Sequence, residues 1–365
     1  MKGPAEPDVR SESKPHRLKG LPATSAPDPP RKRAAMSRDG PLRYRWGRLQ
    51  SSMSGTQSCQ QKVVPRKKPS FVLGTGEGCF ILKAKGGVGM ADQPTYCFIG
   101  AGSMTEALLS GLLSRGMSTG ERITIMNRRN HERVRQLARR YGVILPADRK
   151  TAVSGADIII LAIKPKDAAE ALEQWGRYIH PGQQVISVIA GISTAFIEDR
   201  LTTGTAVIRA MPNTSGTVGL SATALCPGRH AGKADLEEAA RFFSSIGITV
   251  VVKEEDMDAV TGLSGSGPAY IYYLVEALEK AGVTMGLTPA VSRRLTLQTL
   301  LGAAKMLQET GEEPAELRRK VSSPGGTTMA GLETLARHRF QDALILAVQQ
   351  ACRRSRELGR SSAGK

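Results

Sequence analysis

The sequence of 365 residues is longer than one ordinary domain, and its hydrophobic content of 40% is typical of a protein with a packed core. Its five cysteines include no CxxC pair and its five histidines do not cluster, which argues against a disulfide framework and against any metal site, and favours the cytoplasm. The net charge of +18 would suggest nucleic acid or a membrane as partner. However, residues 1–90 hold 18 of the 51 basic and only 6 of the 33 acidic residues, so most of the excess charge lies in this first part of the chain. Neither partner is therefore expected for the rest of the chain.

Residues 1–93 have no sustained hydrophobic period and are rich in proline, serine, arginine and lysine, which predicts a disordered basic extension. A transit peptide or a nucleic-acid-binding tail is a functional alternative, although early acidic residues are unusual in transit peptides. A third interpretation is that translation starts at Met90. Lys85-Gly86-Gly87 must be encoded by a purine-rich stretch that resembles a bacterial ribosome-binding sequence, so residues 1–89 would then not belong to the native protein.

From Tyr96 onward, short apolar segments alternate with amphipathic ones. The alternation predicts strands and helices in turn, and strands that are apolar throughout are typical of a parallel sheet covered by helices on both faces. The predicted strands are Tyr96–Ile99, Ile123–Met126, Val143–Leu145, Ile158–Ile163, Val185–Ile189 and Ala206–Arg209, and the helices between them include Met104–Leu113, His131–Arg140 and Asp167–Trp175.

After Val252 the strand pattern stops and a helical region begins. The segment Ala290–Glu309 is apolar over more of its surface than one packing face needs, which predicts that a second subunit covers it. We therefore expect a dinucleotide-binding domain over 94–255 and an all-helical dimerisation domain over 256–360. The predicted helices are Ala269–Ala281, Ala290–Glu309, Thr328–Ala336 and Phe340–Leu358.

A glycine turn follows the first strand and opens the first helix, in the order Gly100-Ala-Gly102-Ser103-Met104-Thr105. Strand, turn, helix and second strand together are the context of a Rossmann-type fingerprint, in which Gly100 permits the tight turn and Gly102 lets the backbone approach a pyrophosphate. The amides that begin the helix, at Ser103 and Met104, suit its charge. Thr105 stands where glycine or alanine is usual, which weakens the motif.

The second strand ends in Asn127-Arg128-Arg129, whereas NAD sites place an acidic residue there for the ribose 2′-hydroxyl. The two guanidinium groups suit a 2′-phosphate and so favour NADPH over NADH, and Asn127 can bind the ribose. The alternative interpretation is that these residues form only a solvated basic loop. The predicted strands Ile158–Ile163 and Val185–Ile189 should end at the same edge of the sheet, the carboxyl edge, where open α/β sheets bind ligands. We expect the residues at these strand ends to contact the cofactor, namely Ala162, Lys164, Pro165, Ala190 and Gly191.

Two glycine-rich segments precede helices, at 261–270 and 321–328. Their exposed amides and hydroxyl groups would suit a carboxylate, although such a segment can also be only a helix cap.

Five segments of the chain are informative together: Gly100-Ala-Gly102, Leu161-Ala-Ile-Lys-Pro165, Met211-Pro-Asn-Thr214, Leu263-Ser-Gly-Ser-Gly-Pro-Ala-Tyr270 and Val321-Ser-Ser-Pro-Gly-Gly-Thr-Thr328. In this order and spacing they resemble the pyrroline-5-carboxylate reductases over about residues 94–358, and the last segment is the most specific. The resemblance implies NADPH-dependent reduction of a cyclic C=N bond, from 1-pyrroline-5-carboxylate to L-proline, as the last step of proline biosynthesis. It also implies a homodimer or larger oligomer, with NADH a weaker donor.

The resemblance also implies roles for the last segment. Ser323, Gly325, Gly326 and Thr327 would bind the substrate carboxylate, and Thr328 would be the catalytic residue that hydrogen-bonds the ring nitrogen. The chain departs from the family pattern at Thr105 and at Ser215, where proline is commoner, and both departures concern the cofactor more than the substrate.

Two other functions fit the same order of sheet and helices. One is a β-hydroxyacid-type NADP dehydrogenase or an imine reductase, but the hydroxyacid enzymes use a catalytic lysine where residues 263–270 have none. The other is a non-enzymatic binding protein on the same fold, which the intact segment 322–328 disfavours.

Overall fold

A computed structural model describes the backbone of residues 93–363 and the side chains to Arg360. The predicted basic extension, apart from residue 93, and the proposed start at Met90 lie outside the described residues. The described chain forms a sheet with helices on both faces, followed by a series of helices. Within it, no helix combines the length and the apolar character that crossing a bilayer requires.

Seven strands form one sheet in the order β2-β1-β3-β4-β5-β6-β7. The first five strands along the chain are parallel to one another, as predicted, whereas β6 is antiparallel to β5 and β7 is parallel to β6. The strands are β1 (Tyr96–Ile99), β2 (Ile123–Met126), β3 (Ile158–Leu161), β4 (Gln184–Ser187), β5 (Ala206–Met211), β6 (Ser221–Pro227) and β7 (Gly247–Val251).

The helices before β7 cover the sheet, and those after it form the helical region. A single π-helical turn, Thr261–Gly265, joins two of them. The helices are α1 (Ser103–Ser114), α2 (His131–Tyr141), α3 (Arg149–Ser154), α4 (Ala168–Trp175), α5 (Thr194–Glu198), α6 (Lys233–Ser244), α7 (Met257–Val260), α8 (Gly267–Thr284), α9 (Pro289–Thr310), α10 (Pro314–Lys320), α11 (Thr327–Arg337) and α12 (Phe340–Ala363).

Successive residues of the buried strands belong alternately to two separate hydrophobic clusters. In β3, Ile158 and Ile160 pack into the cluster that contains Leu108 of α1 and Phe242 of α6, whereas Ile159 and Leu161 pack into the cluster of Leu172 and Phe196 from α4 and α5. Since successive strand side chains point to opposite faces, both faces of the sheet are covered by helices. This arrangement confirms the predicted Rossmann-type fold, followed by a helical region.

One predicted strand is not formed, and the sheet extends beyond the strands that were predicted. Val143–Leu145 is not a strand, because only Ile144 bridges to β2, and Ile144 and Leu145 are both 43% exposed beside the edge strand. The sheet is also not wholly parallel, since β6 returns from β5 through a short turn that contains Thr214–Val218. A connection of that length cannot make the crossover that a parallel neighbour needs.

The helices after β7 bury few of their side chains within one chain. Helix α8 has no buried residue, and the buried residues of α9 are Ser292 and Thr296, both polar. Apolar surface of this extent is typical of an interaction site. The exposed apolar side chains of α8, α9 and α12 include Ile271, Tyr272, Tyr273, Leu278, Val291, Leu295, Leu297, Leu301, Ile345 and Leu346.

Candidate functional site

The turn after β1 is fixed by a close approach of two backbone segments. Gly100 has a φ of +125°, and a Cβ there would lie 2.1 Å from the carbonyl oxygen of Ala162, so only glycine fits. The buried hydroxyl of Thr105 donates to the carbonyl oxygen of Gly100 at 3.0 Å. The threonine that departs from the usual motif therefore stabilises the turn.

The N-terminus of helix α1 is exposed. The N-cap residue before it, Gly102, provides no side-chain hydrogen bond, and a Cβ added there would meet no atom within 4 Å. The first acidic side chain of the helix, Glu106, pairs with Arg133 and with Arg140, the latter at 2.8 Å. The amides at the start of α1, together with the positive end of the helix dipole, can therefore act on an anion with little opposition from Glu106.

These elements border a cleft of about 560 Å³ at the carboxyl ends of β1, β2 and β3, which we call the edge cleft. The sequence predicted nine of the 21 residues that line it, but it gave no sign of Arg149, Lys166, Asp167, Glu170 and Trp175, which come from α3, from α4 and from the turn before α4. The predicted cofactor residues that line it are Gly100, Gly102, Ser103, Met104, Asn127, Arg128, Arg129, Ala162 and Lys164.

Basic side chains outnumber acidic ones around the edge cleft. Its acids are Asp167 and Glu170, and its bases are Arg128, Arg129, Arg149, Lys164 and Lys166. Such an excess attracts a ligand with several phosphates. A cleft of this volume with a glycine turn, free helix amides and clustered cations fits a phosphorylated dinucleotide.

Arg149 is the first residue of α3, and the N-cap that fixes this helix start, Asp148, can be recognised in the sequence. Asp148 accepts hydrogen bonds from the amides of Lys150 and Thr151, both at 3.1 Å, and so fixes the start of α3. The Thr151 hydroxyl, followed by these amides, lowers the pKa of Asp148. The sequence signal for this helix start is present, but only the tertiary structure shows that the helix starts at the edge cleft.

Asn127 organises the loop between β2 and α2. Its Oδ1 accepts from the amides of Arg129 and Asn130, at 3.0 and 3.2 Å, which leaves its side-chain nitrogen to donate. Arg128 next to it forms an ion pair with Glu170 of α4. The loop therefore presents an amide donor and two guanidinium groups at one end of the edge cleft.

Three predicted cofactor residues do not line the edge cleft. Pro165 begins a short 3-10 turn, and Ala190 and Gly191 lie just after β4. Gly191 has a φ of +75°, and its Cβ position lies 2.9 Å from the carbonyl oxygen of Ser355 in α12. Packing against α12 thus explains this glycine, and its contact with a cofactor stays a prediction.

A partly buried ion pair connects β5 to the segment before α7. Arg209, which is 4% exposed, pairs with Glu254, and Glu254 also accepts from the amide and hydroxyl of Thr194 at 3.1 and 2.8 Å. Cys226 of β6 lies 3.7 Å from the same carboxylate, and burial, followed by that charge, raises the pKa of its thiol to about 12. This cluster ties β5, β6 and α5 to the segment before α7.

The glycine-rich segment at 261–270 is helical, which corrects the expectation of an exposed loop. Residues 261–265 form the π-helical turn, and its amides are used within the helix, as in the 2.9 Å bond from Ser266 to the Thr261 carbonyl. Asn213 donates to the carbonyl oxygen of Ser264 at 3.1 Å, and the Tyr270 hydroxyl donates to that of Gly262 at 3.2 Å. The segment is thus joined to the end of β5.

The segment at 321–328 is an exposed loop, as expected. Gly325 has a φ of +69°, the amide of Gly326 donates to the Ser323 carbonyl at 3.0 Å, and α11 starts at Thr327 without a side-chain cap. The Thr328 side chain is exposed. Ser323, Gly325, Gly326, Thr327 and Thr328 do not line the edge cleft of the same chain.

Comparison with family models relates both halves of the described chain to known proteins. Residues 254–358 match the model described as pyrroline-5-carboxylate reductase dimerisation. Residues 95–191 match the model described as NADP oxidoreductase, coenzyme F420-dependent. The first match covers the helical region and the second contains the edge cleft.

Curated relatives and solved structures point to the same family. The chain is 43% identical to pyrroline-5-carboxylate reductase 1 of Bacillus subtilis strain 168, over 73% of this chain and 90% of that protein. It is 40% identical to pyrroline-5-carboxylate reductase of Methanosarcina acetivorans, over 72% and 97%. The structure of the Coxiella burnetii pyrroline-5-carboxylate reductase superposes with a TM-score of 0.67 at 32% identity, and the Plasmodium falciparum pyrroline carboxylate reductase with NADP bound superposes with 0.66 at 28%; each match covers 73% of this chain and 99% of the other.

Proposed function

The chain belongs to the pyrroline-5-carboxylate reductase family, and we propose that it reduces 1-pyrroline-5-carboxylate to L-proline with hydride from NADPH, the last step of proline biosynthesis. The observation that carries this proposal is an identity of 40–43% over at least 90% of the length of the named reductases. The chain is accordingly an NAD(P)H-dependent oxidoreductase that acts on a cyclic C=N bond.

We propose that the edge cleft binds the cofactor. The free amides of α1 at Ser103 and Met104, with Gly100 and Gly102, hold the pyrophosphate, and the side-chain nitrogen of Asn127 donates to the ribose. Arg128 and Arg129 hold the 2′-phosphate. On the nicotinamide side the contacts are with Ala162, Lys164, Pro165, Ala190 and Gly191. When bound, the cofactor supplies the hydride.

The loop before α11 is the proposed substrate site. Ser323, Gly325, Gly326 and Thr327 can bind a carboxylate through hydroxyl groups and backbone amides, although the Gly326 amide also donates to the Ser323 carbonyl oxygen. The start of an 11-residue helix adds a favourable dipole. The hydroxyl of Thr328 then hydrogen-bonds the ring nitrogen, as the catalytic residue. Since a protonated cyclic imine accepts hydride directly, positioning is the main task of these side chains.

We propose that the active enzyme is a cytoplasmic homodimer or a larger oligomer of such dimers. The exposed apolar surface of α8, α9 and α12 supports a second copy as its cover. Because the loop 321–328 does not line the edge cleft of its own chain, a partner chain can supply that loop. The domain boundaries that we propose remain 94–255 and 256–360.

The test is an assay of the purified full-length chain with pyrroline-5-carboxylate, in which oxidation of NADPH and of NADH is followed by the loss of reduced-nicotinamide absorbance. We expect proline as the product and a lower KM for NADPH. A β-hydroxyacid with NADP serves as the comparison substrate. Turnover of the hydroxyacid without turnover of pyrroline-5-carboxylate would contradict the proposal.

A further inference from the structure

Arg128 and Glu170 form an ion pair at the edge cleft, although they come from different elements. Arg128 follows β2, and Glu170 lies in the first turn of α4. Both side chains line the cleft, and they are 51% and 56% exposed. A ligand in the cleft can therefore reach both groups.

The two possible ribose substituents interact with this pair in opposite ways. A 2′-phosphate is an anion, so it competes with the Glu170 carboxylate for Arg128 and is repelled by that carboxylate. A 2′-hydroxyl is neutral and can donate a hydrogen bond to a carboxylate, which is the interaction that NAD sites use. In this chain no acidic residue ends β2, and Glu170 brings a carboxylate to the same end of the cleft from α4.

We propose that Glu170 is a specificity-determining residue that lowers the preference for NADPH over NADH by competing with the 2′-phosphate for Arg128. This inference rests on the proposed function. Arg129 and Arg149 line the same cleft, so a phosphate still finds cationic partners while the Arg128–Glu170 pair is intact. The effect is moderate, because exposed ion pairs are weak.

The experiment measures binding by calorimetric titration of the full-length protein with adenosine 2′,5′-bisphosphate and adenosine 5′-monophosphate, which differ only in the 2′-phosphate. Glu170→Gln should lower the Kd of the bisphosphate by about two- to fivefold and leave or weaken binding of the monophosphate. Glu173→Gln removes the same charge from an exposed position of α4 that does not line the cleft, and it is the matched control.

A double-mutant cycle tests whether Glu170 affects phosphate binding by pairing with Arg128. In an Arg128→Ala background, Glu170→Gln should strengthen bisphosphate binding less than it does with Arg128 present, because only the direct repulsion by the carboxylate is left to remove. The inference is overturned if Glu170→Gln acts equally on both nucleotides, if Glu173→Gln matches it, or if it weakens bisphosphate binding, which would mean that Glu170 positions Arg128 for the phosphate. A wild-type protein that fails to oxidise NADPH with pyrroline-5-carboxylate would instead refute the proposed function.

Discussion

Gly359 of α12 lies against the carbonyl oxygen of Gly191, so closely that a Cβ on Gly359 would stand 2.3 Å from that oxygen. The long last helix is thereby held to the loop after β4. One turn earlier, the hydroxyl of Ser355 donates to Asp258 at 2.6 Å and fixes the helix to α7. The contact joins the helical region to the sheet without any large side chain.

Gly359→Ala should therefore destabilise the protein by about 1–3 kcal/mol, because an added methyl group at a backbone contact forces the helix away. Urea unfolding measures this loss. Gly331→Ala, at an exposed position of α11 where an added Cβ meets no atom within 4 Å, is the control for helix propensity and should keep or raise the midpoint. An unchanged midpoint for Gly359→Ala would show that α12 moves away from the loop at no cost.

Replacing Arg128 and Arg129 together by alanine should raise the KM for NADPH about tenfold or more, and the KM for NADH by less than about twofold. Charge-assisted bonds to a phosphate would be lost, whereas the 2′-hydroxyl of NADH does not need them. Steady-state kinetics with both cofactors give the comparison. Arg135→Ala, an exposed position on α2 outside the cleft, controls for the loss of charge, and equal effects on both cofactors would remove the 2′-phosphate role.

Thr328→Ala should lower kcat by about ten- to a thousandfold with a smaller change in cofactor binding, because it removes the hydroxyl that we propose positions the substrate in the transition state and keeps the backbone of the loop. Thr328→Ser should restore most of the activity. If Thr328→Ala keeps kcat within about twofold of wild type while Ser323→Ala abolishes it, Thr328 serves only the start of α11.

Cys97 and Cys226 should resist alkylation near pH 9 in the folded protein and react in urea, as peptide mass mapping would show. Burial raises the pKa of each thiol from 9.0 to about 12, so the reactive thiolate is scarce. Half-buried Cys352 is the internal reference. Between pH 9 and 12 the unfolded chain releases these protons first, so the free energy of unfolding should fall as the pH rises.

The strands and helices around the edge cleft could be predicted because their patterns are local. The apolar runs at β1, β3 and β4 and the glycine turn at Gly100 each depend on a few adjacent residues. The strand β6 was missed, since its small and polar residues, such as Ser221 and Thr223, are paired with each other only after folding. Glu170 and Arg149 could not be assigned to the cleft, because the sequence does not show which surface helices start there.

The loop 321–328, the proposed substrate site, shows another limit of sequence reasoning. Its composition indicates an anion site, but the described chain does not bring Ser323 or Thr328 to the edge cleft. The sequence could also not show that Thr105 forms a hydrogen bond to the turn that it was expected to weaken. The position of the loop depends on segments far apart in the chain or on a second chain, whereas the Thr105 bond depends on the local geometry of the turn, since the two residues are only five positions apart.

The apolar surface of α8 and α9 also affects how the protein responds to dilution. A single chain buries no side chain of α8, so these helices gain little stability from their own packing. If the surface is shared between two chains, part of the folding free energy comes from association and follows mass action. The melting temperature should then rise with protein concentration, and an enzyme stored at high concentration should lose activity slowly after dilution, at the rate at which its subunits separate.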